Sequence, residues 1–185
     1  MRELPRRSSA PGRSLAKAAI ALPQVVSRVP VRPLEWITRP ADREQVAFDA
    51  GPERVCADVY RPRGPGQHPG IVMALGVNEL GGRDPRAVTL ADGLARSGFV
   101  VLVMAGANPR SDPDANDLTD LARAPAKVAA AFEYLVRRAD VDDTRVGLVG
   151  VCIGSGVCLL TAIQPSLARR VAFVFLIGPY YSLRS

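Results

Sequence analysis

Short apolar runs alternate with amphipathic stretches along most of the sequence, and this alternation constrains the fold more than any other feature. The apolar runs have strand length and cover residues 71–77, 99–104, 146–149 and 171–177. The stretches between them predict helices over 85–97, 121–138 and from the glycine at 154 to about 163. Near-continuous apolar strands have to be buried on both faces, which favours a mostly parallel sheet covered by helices on each side. The sequence therefore predicts an α/β fold of three layers.

Two shorter runs with alternating polarity precede the first apolar run. They cover residues 44–49 and 54–60 and are joined by Ala50-Gly51-Pro52, which predicts a β-hairpin at one edge of the sheet. Residues 1–40 contain six prolines, too many for a long helix. We therefore divide the chain into a proline-rich N-terminal arm, residues 1–40, and a folded domain, residues 41–185.

The net charge of +6 is concentrated in the N-terminal arm. Residues 1–40 hold eight basic and two acidic side chains, whereas the rest of the chain holds 16 of each. The domain has no basic stripe with interleaved aromatic residues, so we predict that it does not bind nucleic acid. No window of 18 uninterrupted apolar residues occurs, so no membrane span is predicted.

The cysteine and histidine content argues against a disulfide framework and a zinc site. There are three cysteines without a C-x-x-C pair, and His68 is the single histidine. Reduced thiols predict a cytoplasmic protein, and we predict neither a metal nor another cofactor. Cys56 and Cys158 are interpreted as core residues.

The pentapeptide Gly150-Val151-Cys152-Ile153-Gly154 carries the candidate chemistry. It follows the run 146–149 directly and precedes a predicted helix, which is the setting of the G-x-nucleophile-x-G turn called a nucleophile elbow. Such a sharp turn needs glycine at 150 and 154, because larger side chains would collide with neighbouring backbone. It would present the Cys152 sulfur at the carboxyl ends of the strands, with the backbone N–H of Ile153 as an oxyanion donor.

Two other interpretations of this turn remain open. Glycine-rich turns after a strand also bind nucleotides, although the G-x-G-x-x-G and G-K-[ST] patterns are both missing here. Cys152 could instead be a small buried apolar residue, as many cysteines are.

The order of these elements and three motifs resemble the dienelactone hydrolase family of α/β hydrolases. That family uses cysteine in a G-x-C-x-G-G elbow, and its Q-E-I-F-G segment is similar to Asn78-Glu79-Leu80-Gly81-Gly82 here. The phrase Ala57-Asp-Val-Tyr-Arg-Pro62, followed by His68-Pro-Gly-Ile-Val, is similar to the start of the superfamily domain. The resemblance covers about residues 43–180.

The resemblance implies an α/β-hydrolase-type sandwich that hydrolyses small carboxylic esters or lactones. Cys152 would be the nucleophile, and Glu79 would help to take the proton from its thiol. The N–H groups of Leu80 and Ile153 would form the oxyanion hole, with Gly150 and Gly154 as the elbow glycines. Ser155 replaces the second glycine of the family's G-G pair, a change that the packing of the helix should tolerate.

The sequence departs most from this family after the elbow, where the family places its catalytic aspartate and histidine. The 31 residues that follow Gly154 contain no Asp, Glu or His. His68 precedes the first apolar run and is expected on the opposite side of the sheet from the elbow. We therefore expect a domain truncated after the strand that follows the elbow helix, with the hydrolase inactive or impaired.

The alternative is a non-catalytic domain of the same fold that binds a ligand or a partner. The last apolar run, 171–177, would form an exposed edge strand, which invites self-association or pairing with a partner chain. A thiol-redox or acyl-carrying role for Cys152 is a third, weaker interpretation.

Overall fold

The computed structural model describes residues 39–78, 84–107, 118 and 120–178, so nearly all of the N-terminal arm lies outside it. The described chain forms six strands and three helices. The strands are β1 (Asp42–Ala50), β2 (Glu53–Arg61), β3 (His68–Asn78), β4 (Val100–Ala107), β5 (Val141–Val151) and β6 (Val174–Ile177). The helices are α1 (Pro85–Arg96), α2 (Ala124–Val136) and α3 (Ile153–Ala162).

The six strands form one sheet in the order β1-β2-β4-β3-β5-β6. The hairpin strand β2 pairs antiparallel with both β1 and β4. The remaining pairs, β3 with β4, β3 with β5 and β5 with β6, are all parallel. The predicted hairpin at one edge of a mostly parallel sheet is therefore confirmed.

Helices cover both faces of the sheet, as the apolar runs predict. Along β3, Ile71 and Met73 pack in the core beneath α1, whereas Val72 and Ala74 pack in the core beneath α2 and α3. All four are at most 3% exposed. Fully burying the side chain of Ile71, Val72 or Met73 contributes about 1.5–3 kcal/mol each. The strand β3 therefore stabilises the packing of helices on both faces of the sheet. None of the helices in the described chain is long and apolar enough to cross a membrane.

The last strand differs from its prediction in length and in burial. We predicted a buried strand over 171–177, but β6 contains only the four residues 174–177. Val174 and Phe175 are 38% and 55% exposed. The prediction of burial is wrong because β6 lies at the end of the strand order of the described sheet. The exposed edge strand, which we also expected from this run, agrees with the structure.

Ion pairs connect the hairpin to α2 and its C-terminal end. The Lys127 ammonium, on a residue only 7% exposed, lies 2.7 Å from a Glu53 carboxylate oxygen of β2. Arg138 donates two hydrogen bonds of 2.9 Å to Asp140 and also pairs with Glu44 of β1. The guanidinium of Arg138 lowers the pKa of the Asp140 carboxyl through these hydrogen bonds. Breaking the Lys127 pair would take a close opposite charge away from a largely buried ammonium, which is destabilising.

The start of α3 packs directly on backbone, without intervening side chains. A Cβ placed on Gly154 would lie 2.1 Å from the carbonyl oxygen of Ala74 in β3. A Cβ on Gly150 would lie 2.5 Å from the Cα of Ser155. Both distances are far below van der Waals contact, so only glycine lets α3 begin at this point.

Replacing Gly154 should therefore disrupt the junction of β5 and α3. We expect Gly154→Ala to lower the free energy of unfolding by about 3 kcal/mol or more, because α3 has to move away from β3. Urea unfolding followed by circular dichroism measures the loss. Gly156→Ala is the matched control, since a Cβ there has nothing within 4 Å and the same helix should gain up to about 1 kcal/mol. Equal unfolding midpoints for the two variants would contradict this packing.

Candidate active site

The backbone turns sharply between β5 and α3, and a single residue makes the turn. β5 ends at Val151, α3 begins at Ile153, and Cys152 between them has φ 56° and ψ −124°. Cys152 is the one non-glycine residue with positive φ in the part of the chain that the structure describes. Such a conformation costs about 1–3 kcal/mol and persists only where the surrounding structure imposes it.

Hydrogen bonds on both sides of Cys152 hold this conformation. The N–H of Cys152 donates to the carbonyl oxygen of Ile177 at 2.9 Å. Its carbonyl oxygen accepts from the N–H of Ser155, also at 2.9 Å, in the first turn of α3. The neighbouring residue Val151 is in register with Ile177. The elbow is thus held between the last strand and the elbow helix.

Gly76 in β3 allows the neighbouring strand to approach the thiol. A Cβ on Gly76 would lie 2.9 Å from the Cβ of Cys152 and 3.4 Å from its Sγ. Sequence reasoning missed this residue. The available signal was a lone glycine inside the apolar run 71–77, which often marks a close approach of another segment.

An open cavity of about 270 Å³ lies beside the elbow, and Cys152 is part of its lining. Most of the wall is apolar and comes from the carboxyl ends of three strands and from α1. The lining residues are Leu75, Gly76, Asp84, Arg86, Ala87, Leu90, Val151, Cys152 and Ile177. A turn that exposes a thiol to a mostly apolar cavity can bring an uncharged electrophile to the sulfur.

The N-terminus of α1 supplies the charged residues of this cavity. Asp84 caps the helix, and its Oδ1 accepts a hydrogen bond of 2.8 Å from the N–H of Arg86. The sequence analysis did not select either residue. The signal was an aspartate directly before Pro85, because aspartate at the N-cap and proline at the first helical position commonly begin a helix.

The three cysteines have different environments, and all three are thiols. Cys158 in α3 is fully buried, and burial raises the pKa of its thiol to about 12. This agrees with its interpretation as a core residue. Cys56 in β2 is only partly buried. Cys152 alone among them lines the cavity.

Of the other residues named from the sequence, two lie outside the described structure and one lies far from the turn at Cys152. Glu79 and Leu80 lie outside the described residues, which stop at Asn78 in this part of the chain. His68 pairs with Val141 at the start of β5, whereas Ala74 pairs with Gly150 beside the elbow. His68 is therefore at the opposite end of β3, as predicted. Within residues 39–78, 84–107 and 120–178, no cluster of His, Cys, Asp or Glu could hold a metal ion.

Most of the folded domain matches one family of known proteins. Residues 55–175 match the dienelactone hydrolase family. A probable 2-oxo-3-(5-oxofuran-2-ylidene)propanoate lactonase from Bradyrhizobium sp. is 29% identical over 126 residues, which are 63% of this chain and 50% of that protein.

Solved structures share the fold at lower identity. A dienelactone hydrolase from Anabaena variabilis superposes with a TM-score of 0.61 and 18% identity, covering 76% of this chain and 65% of that one. The esterase Est22 superposes with a TM-score of 0.64 and 13% identity, covering 94% and 53%. These similarities identify the sheet and its helices as an α/β-hydrolase-type fold.

The chain spans half the length of the curated lactonase that it matches. The family match covers well over half of this chain and includes both the hairpin strand β2 and the elbow. The elbow geometry at Cys152 and the cavity beside it lie inside that matched region, except for Ile177. This protein belongs to the dienelactone hydrolase family.

Proposed function

We propose that this protein hydrolyses small carboxylic esters or lactones and that Cys152 is its nucleophile. The observation that carries the proposal is the backbone of Cys152, which keeps a strained φ of 56° at a strand-to-helix turn. Strain of this kind clusters at functional sites. A cysteine that served only as a small core residue would not require it. The opening of the cavity at the same residue supports this role.

In the proposed reaction the Cys152 sulfur attacks the carbonyl carbon of the substrate. A bond forms between sulfur and carbon, and the carbonyl oxygen becomes an oxyanion held by the N–H groups of Ile153 and Leu80. The thiol proton passes to Glu79. The carbon–oxygen bond then breaks, and the leaving oxygen takes the proton back from Glu79, so that an ester releases its alcohol and a lactone ring opens. The product is a thioester on Cys152, which water hydrolyses to the acid and the free thiol. The roles of Glu79 and Leu80 rest on the family resemblance.

The cavity favours a substrate with a compact apolar part. Leu75, Leu90 and Ile177 form apolar wall, and Asp84 and Arg86 provide polar contacts at one side. The volume of about 270 Å³ suits a small ester or a lactone ring rather than a polymer. The lactonase named above agrees with this substrate class.

Acylation and hydrolysis should proceed at very different rates in this chain. His68 is the single histidine, and it lies at the opposite end of β3 from the elbow. It therefore cannot activate water at the thioester. We propose that the chain acylates readily and releases the acid slowly, so that its hydrolase activity is impaired.

This proposal is tested with 4-nitrophenyl acetate and peptide mass spectrometry. We expect a burst of about one nitrophenolate per chain, followed by slow turnover, with the acetyl group on Cys152. Cys152→Ala should abolish the burst. Cys56→Ala removes the other partly buried thiol and should leave the burst unchanged. A burst of equal size in Cys152→Ala would refute the nucleophile.

We propose, as a second candidate, that the edge at β6 is an interaction surface that binds another copy of the chain. Phe173 and Phe175 are 39% and 55% exposed on one face of the sheet. Leu159 and Leu160 of α3 and Ile163, which directly follows the helix, are 41–64% exposed. Large apolar side chains exposed around an edge strand favour pairing with another polypeptide.

Sedimentation velocity over a range of protein concentrations tests this surface. We expect the chain to self-associate at tens of micromolar, and Phe175→Lys to shift it towards monomer, because a charge at an edge strand opposes pairing. Ala47→Lys is the control, since it adds the same charge to β1 at the other edge of the sheet. A chain that stays monomeric at these concentrations, or equal effects of both variants, would contradict the surface.

A further inference from the structure

The hydroxyl of Ser155 occupies a specific position at the elbow. Ser155 is fully buried, and its Oγ lies 2.9 Å from the carbonyl oxygen of Gly150 and 3.1 Å from that of Ile177. Gly150 begins the elbow in β5, and Ile177 is the last residue of β6. A single side chain in α3 therefore joins the two strands that flank the candidate nucleophile.

We propose that Ser155 is a positioning residue that fixes the backbone of Cys152 by holding the end of β6 against the elbow. The inference rests on the proposed function, because it concerns the geometry of the same nucleophile. It assigns a role to the one position at which the elbow departs from the family's G-x-C-x-G-G pattern.

Ser155 acts on Cys152 through the carbonyl oxygen of Ile177. It accepts a hydrogen bond of 2.9 Å from the N–H of Cys152. At 3.1 Å it also shares the single hydroxyl proton of Ser155 with the Gly150 carbonyl, in a bifurcated hydrogen bond. This carbonyl is the acceptor for the Cys152 N–H. A hydroxyl that holds it in place therefore also keeps that hydrogen bond formed. Loss of the hydroxyl leaves that acceptor attached to the elbow by one hydrogen bond fewer, and the strained φ of Cys152 can relax.

The burial of Ser155 makes the hydrogen bonding of its hydroxyl more important. A hydroxyl removed from water without a partner destabilises the fold, so a buried serine is tolerated only where its acceptors are in place. Gly150 is constrained on the same side, because a Cβ there would contact the backbone of Ser155. The buried hydroxyl therefore depends on the carbonyl groups of Gly150 and Ile177 for its hydrogen bonding.

Thr161 provides a matched control in the same helix. It is also fully buried, and its Oγ1 lies 2.8 Å from the carbonyl oxygen of Val157 and 3.3 Å from that of Pro125. Neither acceptor belongs to the elbow. Thr161→Val thus removes a buried hydroxyl of the same kind from α3 without touching the hydrogen bonds around Cys152.

The experiment compares Ser155→Ala, Ser155→Gly and Thr161→Val with the unaltered chain in two measurements. The first is the rate of Cys152 acylation by 4-nitrophenyl acetate divided by its rate of alkylation by iodoacetamide, because only acylation uses the oxyanion donor. The second is the hydrogen exchange rate of the Cys152 amide, measured by nuclear magnetic resonance.

We expect both serine variants to lower the acylation-to-alkylation ratio about fivefold and to speed exchange of the Cys152 amide by a similar factor, as loss of one hydrogen bond predicts. Thr161→Val should change the acylation-to-alkylation ratio and the exchange rate of the Cys152 amide by no more than about twofold, even if it lowers the free energy of unfolding as much as the serine variants do. Serine variants that match Thr161→Val in both measurements would overturn the role of Ser155. If the unaltered chain is not acylated at Cys152, the proposed function fails, and amide exchange still decides whether Ser155 holds the elbow.

Discussion

The hydrogen bond from the Cys152 N–H to the Ile177 carbonyl is the interaction on which the site depends. It couples an unfavourable backbone conformation at φ 56° to the register of β6 against β5. The close packing of Gly154 on the Ala74 carbonyl opposes relaxation from the other side. The strained backbone of Cys152 is therefore held by β6 through one contact and by β3 through the other, and weakening either contact should change the conformation of Cys152.

Helices cover the central strands of the sheet much better than the edge strand β6. Around β3 and β4, helices cover both faces, and Val72, Met73, Val101 and Leu102 are fully buried. At β6, the apolar side chain of Phe175 is more than half exposed although the strand carries the acceptor for the Cys152 amide. A polypeptide that binds along this edge would also stabilise β6. Because β6 carries the acceptor for the Cys152 N–H, such binding should also stabilise the backbone conformation of Cys152.

The layers and the strand-to-helix turn at Cys152 could be predicted from the sequence because their signals are local. The continuous apolar runs predicted β3 and β4, and the glycines at 150 and 154 predicted the turn. The hydrogen bond from Ser155 to Ile177 could not be predicted, because that contact joins residues 22 positions apart and depends on strand order. Gly76 was missed for the same reason, since its close neighbour is Cys152 on another strand. For the run 171–177 the apolar composition predicted a buried strand, whereas its place as the last run in the sequence predicted an exposed edge, and only the second prediction agrees with β6.

The most direct test of a nucleophilic Cys152 is a crystal structure of the chain after reaction with a small β-lactone. We expect electron density continuous with the Cys152 Sγ, an acyl chain in the cavity beside Leu75 and Leu90, and positive φ at Cys152. Density on Cys56 alone, or an unmodified Cys152 with ordinary helical or extended backbone, would contradict it.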